Sequence, residues 1–435
     1  MKTLFLLVSV LLLGSPAGVI AQSAQSSQSV FVRVRGTQLL LHGRPYRYIG
    51  TNYWYGGLLA TQGAAGKARL TQELNFLNQK GVTNLRVMIG AEGLSNGYQY
   101  RVLQPLQTAP GRFDPKIMAS LDYLLAELRK RNMKAVLYFT NTWEWSGGLG
   151  QYLMWHGYPN PSLPKNPNYD WDKFRAYIAQ FYTCAPCQAD VDSYVRYVLG
   201  RTNRVTGRKY VNDPTIMAWE ILNEPRPMLA SATPAFEAWI RHVAALVKSL
   251  DKNHLLTTGS EGDIASDNNL GVYERLHADP HIDYLTIHIW PRNWDWFRDT
   301  ATAKSLPKVL ANARAYVGRH VAVAARLKKP LVMEEFGLPR DGHKFGASAP
   351  TALRNQFYAT LFGLTQGHTP ASRVIAGYNF WTFSGTGRPK PNQLFWKAGD
   401  PYLGDPGGEE QGLNSVYDTD KSTWTVVSKY LNAIR

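Results

Sequence analysis

Short, almost wholly apolar runs alternate with stretches whose apolar positions recur every three or four residues, and the alternation continues along most of the chain. Residues 46–51, 84–90, 134–140, 216–222, 254–260, 282–289, 331–336 and 375–382 have the length and composition of strands covered on both faces. Between them, Met118, Leu121, Leu125 and Leu128 fall on one face of a helix over 118–131. Phe236, Ile240, Val243, Val247 and Leu250 share a face of a second helix, which Asn253 ends. Further helices are predicted near 68–80, 174–181 and 190–202, and 31–41 alternates before His42-Gly43-Arg44-Pro45 as a small hairpin capping one end. Eight strand and helix alternations predict an α/β fold, a (β/α)8 TIM barrel with long βα loops. The longest loop, 141–171, is rich in Trp, Gly, Tyr and Pro, and a loop of that length in a compact domain is usually functional.

In such a barrel the chemistry gathers where the strands end. The fourth run stops in Asn223-Glu224-Pro225 and the seventh in Glu334-Glu335-Phe336-Gly337, so two strand-end carboxylates, Glu224 and Glu335, are candidates for one site. Asn52, Arg86, Asn141, Glu261, His288 and Trp381 fall on the same rim. Arg86 interrupts an otherwise apolar strand and needs an anionic partner if it is buried, or solvent if that strand is an edge. Two carboxyls are what glycoside hydrolysis requires, one protonated to meet the leaving oxygen and one ionised; Arg86 would keep Glu335 charged, and that charge would raise the proton affinity of Glu224. Strand alternation predicts that Glu334 faces away from the barrel interior. Glu220 shares the parity of Glu224 one layer deeper, where pairing with Arg86 or another barrel-core group is expected instead of catalysis. Glu261 is open between contacting sugar and bracing a loop. Trp54, Trp143, Trp145, Trp294 and Trp296 are open between sugar platforms and packing, and His156, His242 and His343 have no ligand constellation.

Composition sharpens the setting. Lys2 followed by an apolar stretch over 4–13, Pro16 and Val19-Ile20-Ala21 reads as a secretory signal peptide over 1–21, too short to span a bilayer. A polar leader over 22–29 follows, and 30–435 is read as one catalytic domain, exported to the periplasm or the medium. The net charge of +16 raises the question of nucleic acid. Lys and Arg are spread along the chain without a basic stripe, so neither a nucleic-acid partner nor a membrane is expected. With 13 Trp and 24 Tyr the chain has aromatic surface to line a carbohydrate cleft. Its two cysteines, Cys184 and Cys187, have no second pair to complete a zinc site, and export favours a disulfide between them.

With Trp219-Glu-Ile-Leu-Asn-Glu-Pro225 and Glu334-Glu-Phe-Gly337 in view, the chain resembles glycoside hydrolase family 5 from about Phe31 to its end. Gly50-Thr-Asn-Tyr-Trp-Tyr-Gly56, Trp143-Glu-Trp-Ser-Gly-Gly148, Asp213-Pro-Thr-Ile-Met-Ala-Trp219 and His288-Ile-Trp-Pro-Arg-Asn-Trp294 resemble its β-mannanase subfamily. The resemblance implies Glu224 as acid/base, Glu335 as nucleophile, Arg86 as the nucleophile's partner and Asn223 as donor to the sugar 2-hydroxyl. It implies His288 near the scissile bond and Trp381 as the sugar platform. Many members carry a Tyr two residues after that His, its hydroxyl reaching the nucleophile. Here the position is Trp290, which can donate from its indole nitrogen but is larger. The implied activity is retaining, endo-acting hydrolysis of β-1,4-mannosidic bonds in mannan, glucomannan or galactomannan, by a monomer with no cofactor and no metal. An endo-β-1,4-glucanase or another family 5 glycosidase remains open, since the substrates differ only in an axial hydroxyl. A non-catalytic carbohydrate-binding protein is disfavoured by the intact Glu224, Glu335, Arg86 and Asn223.

Overall fold

The structure is a computed structural model that describes residues 29–93, 101–159, 170–298 and 302–434. The expected signal peptide and all of the polar leader but Ser29 lie outside the described residues. Eight parallel strands form one sheet: β1 (Tyr48–Asn52), β2 (Asn84–Met88), β3 (Lys134–Asn141), β4 (Ile216–Asn223), β5 (Leu255–Thr257), β6 (Leu285–Ile289), β7 (Leu331–Phe336) and β8 (Ile375–Phe380). Their order, β5-β4-β3-β2-β1-β8-β7-β6, is that of a barrel whose seam falls between β5 and β6. The seam is held by single bonds instead of a ladder: Asp283 N–H donates to Leu256 O at 2.8 Å, Thr257 Oγ1 to Tyr284 O at 2.9 Å and His288 N–H to Glu261 O at 2.9 Å.

The strands carry little alternation because helices cover the outside while side chains fill the inside. All eight residues of β4 are buried. Asp114 caps the Pro115–Lys130 helix, its carboxylate accepting from Lys116 N–H, and Arg129 and Lys130 complement the other end. The N-terminal hairpin, Arg33–Arg35 paired with Gln38–Leu41, lies at the bottom of the barrel. There Val32 and Leu39 pack with Tyr48, Val136, Met217 and Val332 from the strand starts. Arg86 sits on an interior strand, fully buried, which excludes the edge-strand reading.

Two expectations differ from what is observed. The fifth strand is short because the chain turns at Gly259, whose φ is 81° and where a Cβ would come within 2.1 Å of Leu222 O. The 141–171 segment is not structureless: it contains the helix Gly148–Trp155, whose Leu149, Tyr152 and Leu153 are buried.

Two buried histidines couple stability to pH. His277 donates from Nδ1 to Tyr273 O and accepts at Nε2 from Thr258, and burial pushes its pKa down to about 3. His320 is built alike, at about 4. The unfolded chain protonates these rings near 6.5, so the stability they confer is complete above that pH. It is lost as the pH falls towards the folded values, at about 1.4 kcal/mol per pH unit per ring. The stability gap between wild type and His277→Gln, measured by urea unfolding, should therefore narrow by about 2 kcal/mol from pH 6.5 to pH 5. A constant gap would contradict the neutral, buried ring.

Candidate active site

The end of β4 delivers the first carboxylate through an unusual backbone. Glu224 has φ of 54°, a left-handed conformation that a non-glycine residue adopts at a cost of about 1 kcal/mol or more. The conformation is held from both sides: Glu224 N–H donates to Gly259 O at 3.0 Å, and Thr142 Oγ1 donates to Glu224 O at 2.8 Å. Pro225 then removes the next ladder donor. The carboxylate so aimed meets His288 Nδ1 at 2.8 Å through Oε1 and accepts from the Trp143 indole at 2.5 Å through Oε2.

The second carboxylate, Glu335, is paired across the barrel with Arg86. That guanidinium is a hub. It also forks onto Glu220, as expected of the deeper layer, and donates to Asn223 Oδ1 at 2.7 Å and Asn52 Oδ1 at 3.1 Å. One oxygen of Glu224, one ring nitrogen of His288 and one oxygen of Glu335 all lie within 4.8 Å of one another. Among the described residues this is the set of donors near enough to grip an ion, but Arg86 already brings positive charge to it.

Glu334 corrects the reading from strand alternation. Its carboxylate does not face away; it lies inside the barrel, 3.9 Å from both Arg86 Nε and His288 Nε2. The reason is a slip in the β6–β7 ladder. Ile287 pairs with Met333 but His288 pairs with Glu335, leaving Glu334 as an extra residue that resets the alternation. Burial, then the neighbouring Glu220, pushes its pKa well above the usual carboxylate range. Burial also raises Glu335, against the pull of Arg86, and raises Glu224, against Arg226 and the Trp143 indole. His288 is pushed down to about 3, by burial first and Arg86 second, so the ring is neutral.

Trp290 fills the place where a tyrosine was the family expectation. Its indole N–H donates to Glu335 Oε2 at 3.2 Å. The larger ring fits because the neighbouring residue is Gly337, where a Cβ would stand 2.9 Å from it. Trp381, after β8, sets its ring edge-on to Trp290 with centroids 5.7 Å apart, and its buried indole nitrogen has no protein partner among the described residues. Asn223 donates to Asn141 Oδ1 at 2.9 Å while accepting from Arg86, so its amide is locked in one orientation.

Other candidates lie one layer out. Both oxygens of Glu261 are taken up by Arg226, at 2.5 and 2.7 Å, and the guanidinium of Arg226 lies 5.2 Å from the centre of the Trp143 ring. Arg226 is a residue that sequence reasoning passed over, although it stands two positions after Glu224. Trp54 is only 2% exposed, its indole donating to Gly404 O at 2.7 Å beneath Tyr402 and Trp145. Trp294 and Trp296 pack on each other and on Tyr316. Cys184 and Cys187 are joined by a disulfide at the start of the Ala185–Leu199 helix. His156 and His242 pair with Asp190 and Asp192.

Comparison with known proteins bears on this geometry. A family model described as GH family 5 beta-mannosidase-like matches residues 29–435. Mannan endo-1,4-beta-mannosidase 1 of Oryza sativa subsp. japonica is 30% identical over 349 residues, 76% of this chain and 74% of that protein. The protein of the same name from Arabidopsis thaliana is 28% identical over 81% of each chain. The crystal structure of a glycoside hydrolase family 5 mannosidase from Rhizomucor miehei superposes with a TM-score of 0.84 at 30% identity, covering 94% of this chain and 98% of that one. An endo-1,4-beta-mannanase from the same fungus, at 24% identity and a TM-score of 0.67, shares the barrel. A match that runs from the hairpin to the last residue takes in the rim on which Glu224 and Glu335 meet, and the chain is therefore a glycoside hydrolase belonging to family 5.

Proposed function

We propose that the protein is a retaining β-mannanase that cleaves internal β-1,4 bonds of mannan, glucomannan or galactomannan. The observation that carries the mechanism is the approach of the two carboxylates. One oxygen of each lies within 4.8 Å of the other, which favours the close pair of a retaining enzyme, about 5–5.5 Å apart, over the about 6.5–9.5 Å that an inverting enzyme needs to admit its water. Glu335 touches a full guanidinium, whereas Glu224 is met by a neutral imidazole and an indole. The pair's negative charge is therefore favoured on Glu335 and its proton on Glu224. Glu335 attacks the anomeric carbon while Glu224 gives its proton to the leaving oxygen. Once Glu335 is esterified its charge is gone, and Glu224 can ionise and activate water. Asn223, held by Arg86 and Asn141, is the donor for the 2-hydroxyl, His288 lies beside the bond, and Trp381 is the platform beneath the sugar.

Support for a mannoside comes from the mannan endo-1,4-beta-mannosidase names of the plant relatives and from a solved complex of the Rhizomucor miehei mannosidase with mannosyl-fructose. A second reading, an exo-acting β-mannosidase, is favoured by one specific observation. Trp54, which would serve a further sugar, is covered by Gly404 and Tyr402. Digestion of mannohexaose separates the two: the endo reading expects di- to tetrasaccharides early, the exo reading mannose together with mannopentaose. NMR of the first product should show the β-anomer, and reducing-sugar release from mannan should exceed that from cellulose. An α-anomer would remove the covalent mechanism. Export is proposed with it, and the Cys184–Cys187 disulfide suits an oxidising compartment.

A further inference from the structure

Trp171 is one of the few large apolar side chains left in solvent, 40% exposed. Its surroundings explain why it is not simply a surface residue. Its ring is stacked near-parallel with Trp143, centroids 6.2 Å and planes 24° apart, and with Phe174 at 5.8 Å and 26°. Trp143 and Phe174 in turn lie at 6.0 Å and 14°. Trp143 is the residue whose indole nitrogen touches Glu224. An aromatic surface thus runs outward from the catalytic acid, from the half-buried Trp143 past the buried Phe174 to its outer tile, the exposed Trp171.

The tile is mounted rigidly. Trp171 opens the Trp171–Ala179 helix, which Asp170 caps by accepting from the N–H groups of Asp172 and Lys173. Arg175, one turn along, donates to Met228 O at 2.7 Å in the loop after β4, and to Asp267 in the loop after β5. The platform is therefore tied to the loop that bears Glu224 itself. Pre-positioned aromatic area of this kind binds a flat, partly apolar ligand without loss of side-chain freedom.

The side of the cleft follows from chemistry. Trp290 and Trp381 line the wall that holds Glu335, on β6 to β8, where the sugar being attacked must sit. Trp143, Phe174 and Trp171 continue from Glu224, on the β3 and β4 side, where the departing sugar takes its proton. We propose that Trp171 is the stacking platform of a distal subsite on the leaving-group side, binding a hexopyranose of a β-1,4-linked chain beyond the one that contacts Trp143. The proposal rests on the mannoside reading above, though not on the choice between endo and exo action, since both release a leaving group across this wall.

The test compares two substrates. Mannohexaose can reach the platform; 2,4-dinitrophenyl β-mannoside, whose leaving group is one small ring, cannot. Trp171→Ala should lower kcat/KM for mannohexaose about tenfold, chiefly through KM, and should leave the aryl mannoside within about twofold. Trp171→Tyr should recover most of the loss, and Trp171→Ala should shift the cleavage positions in mannohexaose towards modes that leave the site empty. An equal loss on both substrates would mean that Trp171 only props Trp143, and an unchanged kcat/KM on mannohexaose would mean that no sugar stacks there; either result overturns the subsite. Wild-type enzyme inactive on both substrates would instead overturn the mannoside reading, and the subsite with it.

Discussion

Glu224→Ala is expected to lose roughly a thousandfold in mannan hydrolysis yet to remain competent in its first step when the leaving group needs no proton. With 2,4-dinitrophenyl β-mannoside the departing phenolate is stable as an anion, so Glu335, still paired with Arg86, should be glycosylated and release a burst of dinitrophenol. Water then lacks its base, and turnover should stall. Azide needs no base, so adding it should restore turnover and yield a β-mannosyl azide. Glu335→Ala should behave differently at each point: no burst with any substrate and, if azide enters the vacated space, an α-azide. Product anomers read by NMR decide the matter. Identical behaviour of the two variants, or azides of the opposite anomeric forms, would reverse or remove the assignment of acid and nucleophile.

Arg86→Met is expected to damage stability as well as catalysis, and to do so in a pH-dependent way. Among the described residues the guanidinium is the one cation in contact with Glu220 and Glu335, and it lies 3.9 Å from Glu334, all of them buried. Removing it strands carboxylates in a low-dielectric core, a loss of about 3–5 kcal/mol when such a pair is broken. Glu334 and Glu335 already have folded pKa values above the usual 4.5, and without Arg86 those values rise further. Such a group favours the folded state below its unfolded pKa, and that contribution is lost as the pH rises through the folded one. The difference in Tm between wild type and Arg86→Met should therefore be greatest at pH 8 and shrink towards pH 5. Arg86→Lys, which keeps the charge but not the fork, should recover part of the stability and little of the activity. A deficit that grows on acidification would show that the carboxylates are not what Arg86 neutralises.

How much of this was legible beforehand varies with the kind of information each feature needs. Glu224 and Glu335 could be read because an apolar run that stops at a carboxylate followed by Pro or Gly is a local pattern. Arg86 could be read because a lone cation in a buried strand demands a partner, whichever partner that is. Glu334 could not be read correctly: alternation holds only while two strands stay in register, and the slip between Ile287 and His288 belongs to the pairing of two strands rather than to either one. Trp290 was identifiable as a departure from the family pattern, but that its indole would reach Glu335 depended on the room left at Gly337, which follows a different strand, β7.

The sequence by itself determined the barrel order, the two glutamates and the arginine between them, because strand length, helix periodicity and the burial of charge act along or close to the chain. Only the tertiary structure decided which aromatic residues line the cleft. Trp54 and Trp171 are indistinguishable as tryptophans in a loop, yet one is closed over by Gly404 and Tyr402 from some 350 residues away and the other is left open beside Trp143. Exposure is a property of what packs against a residue, and no reading of its neighbours in the chain contains that.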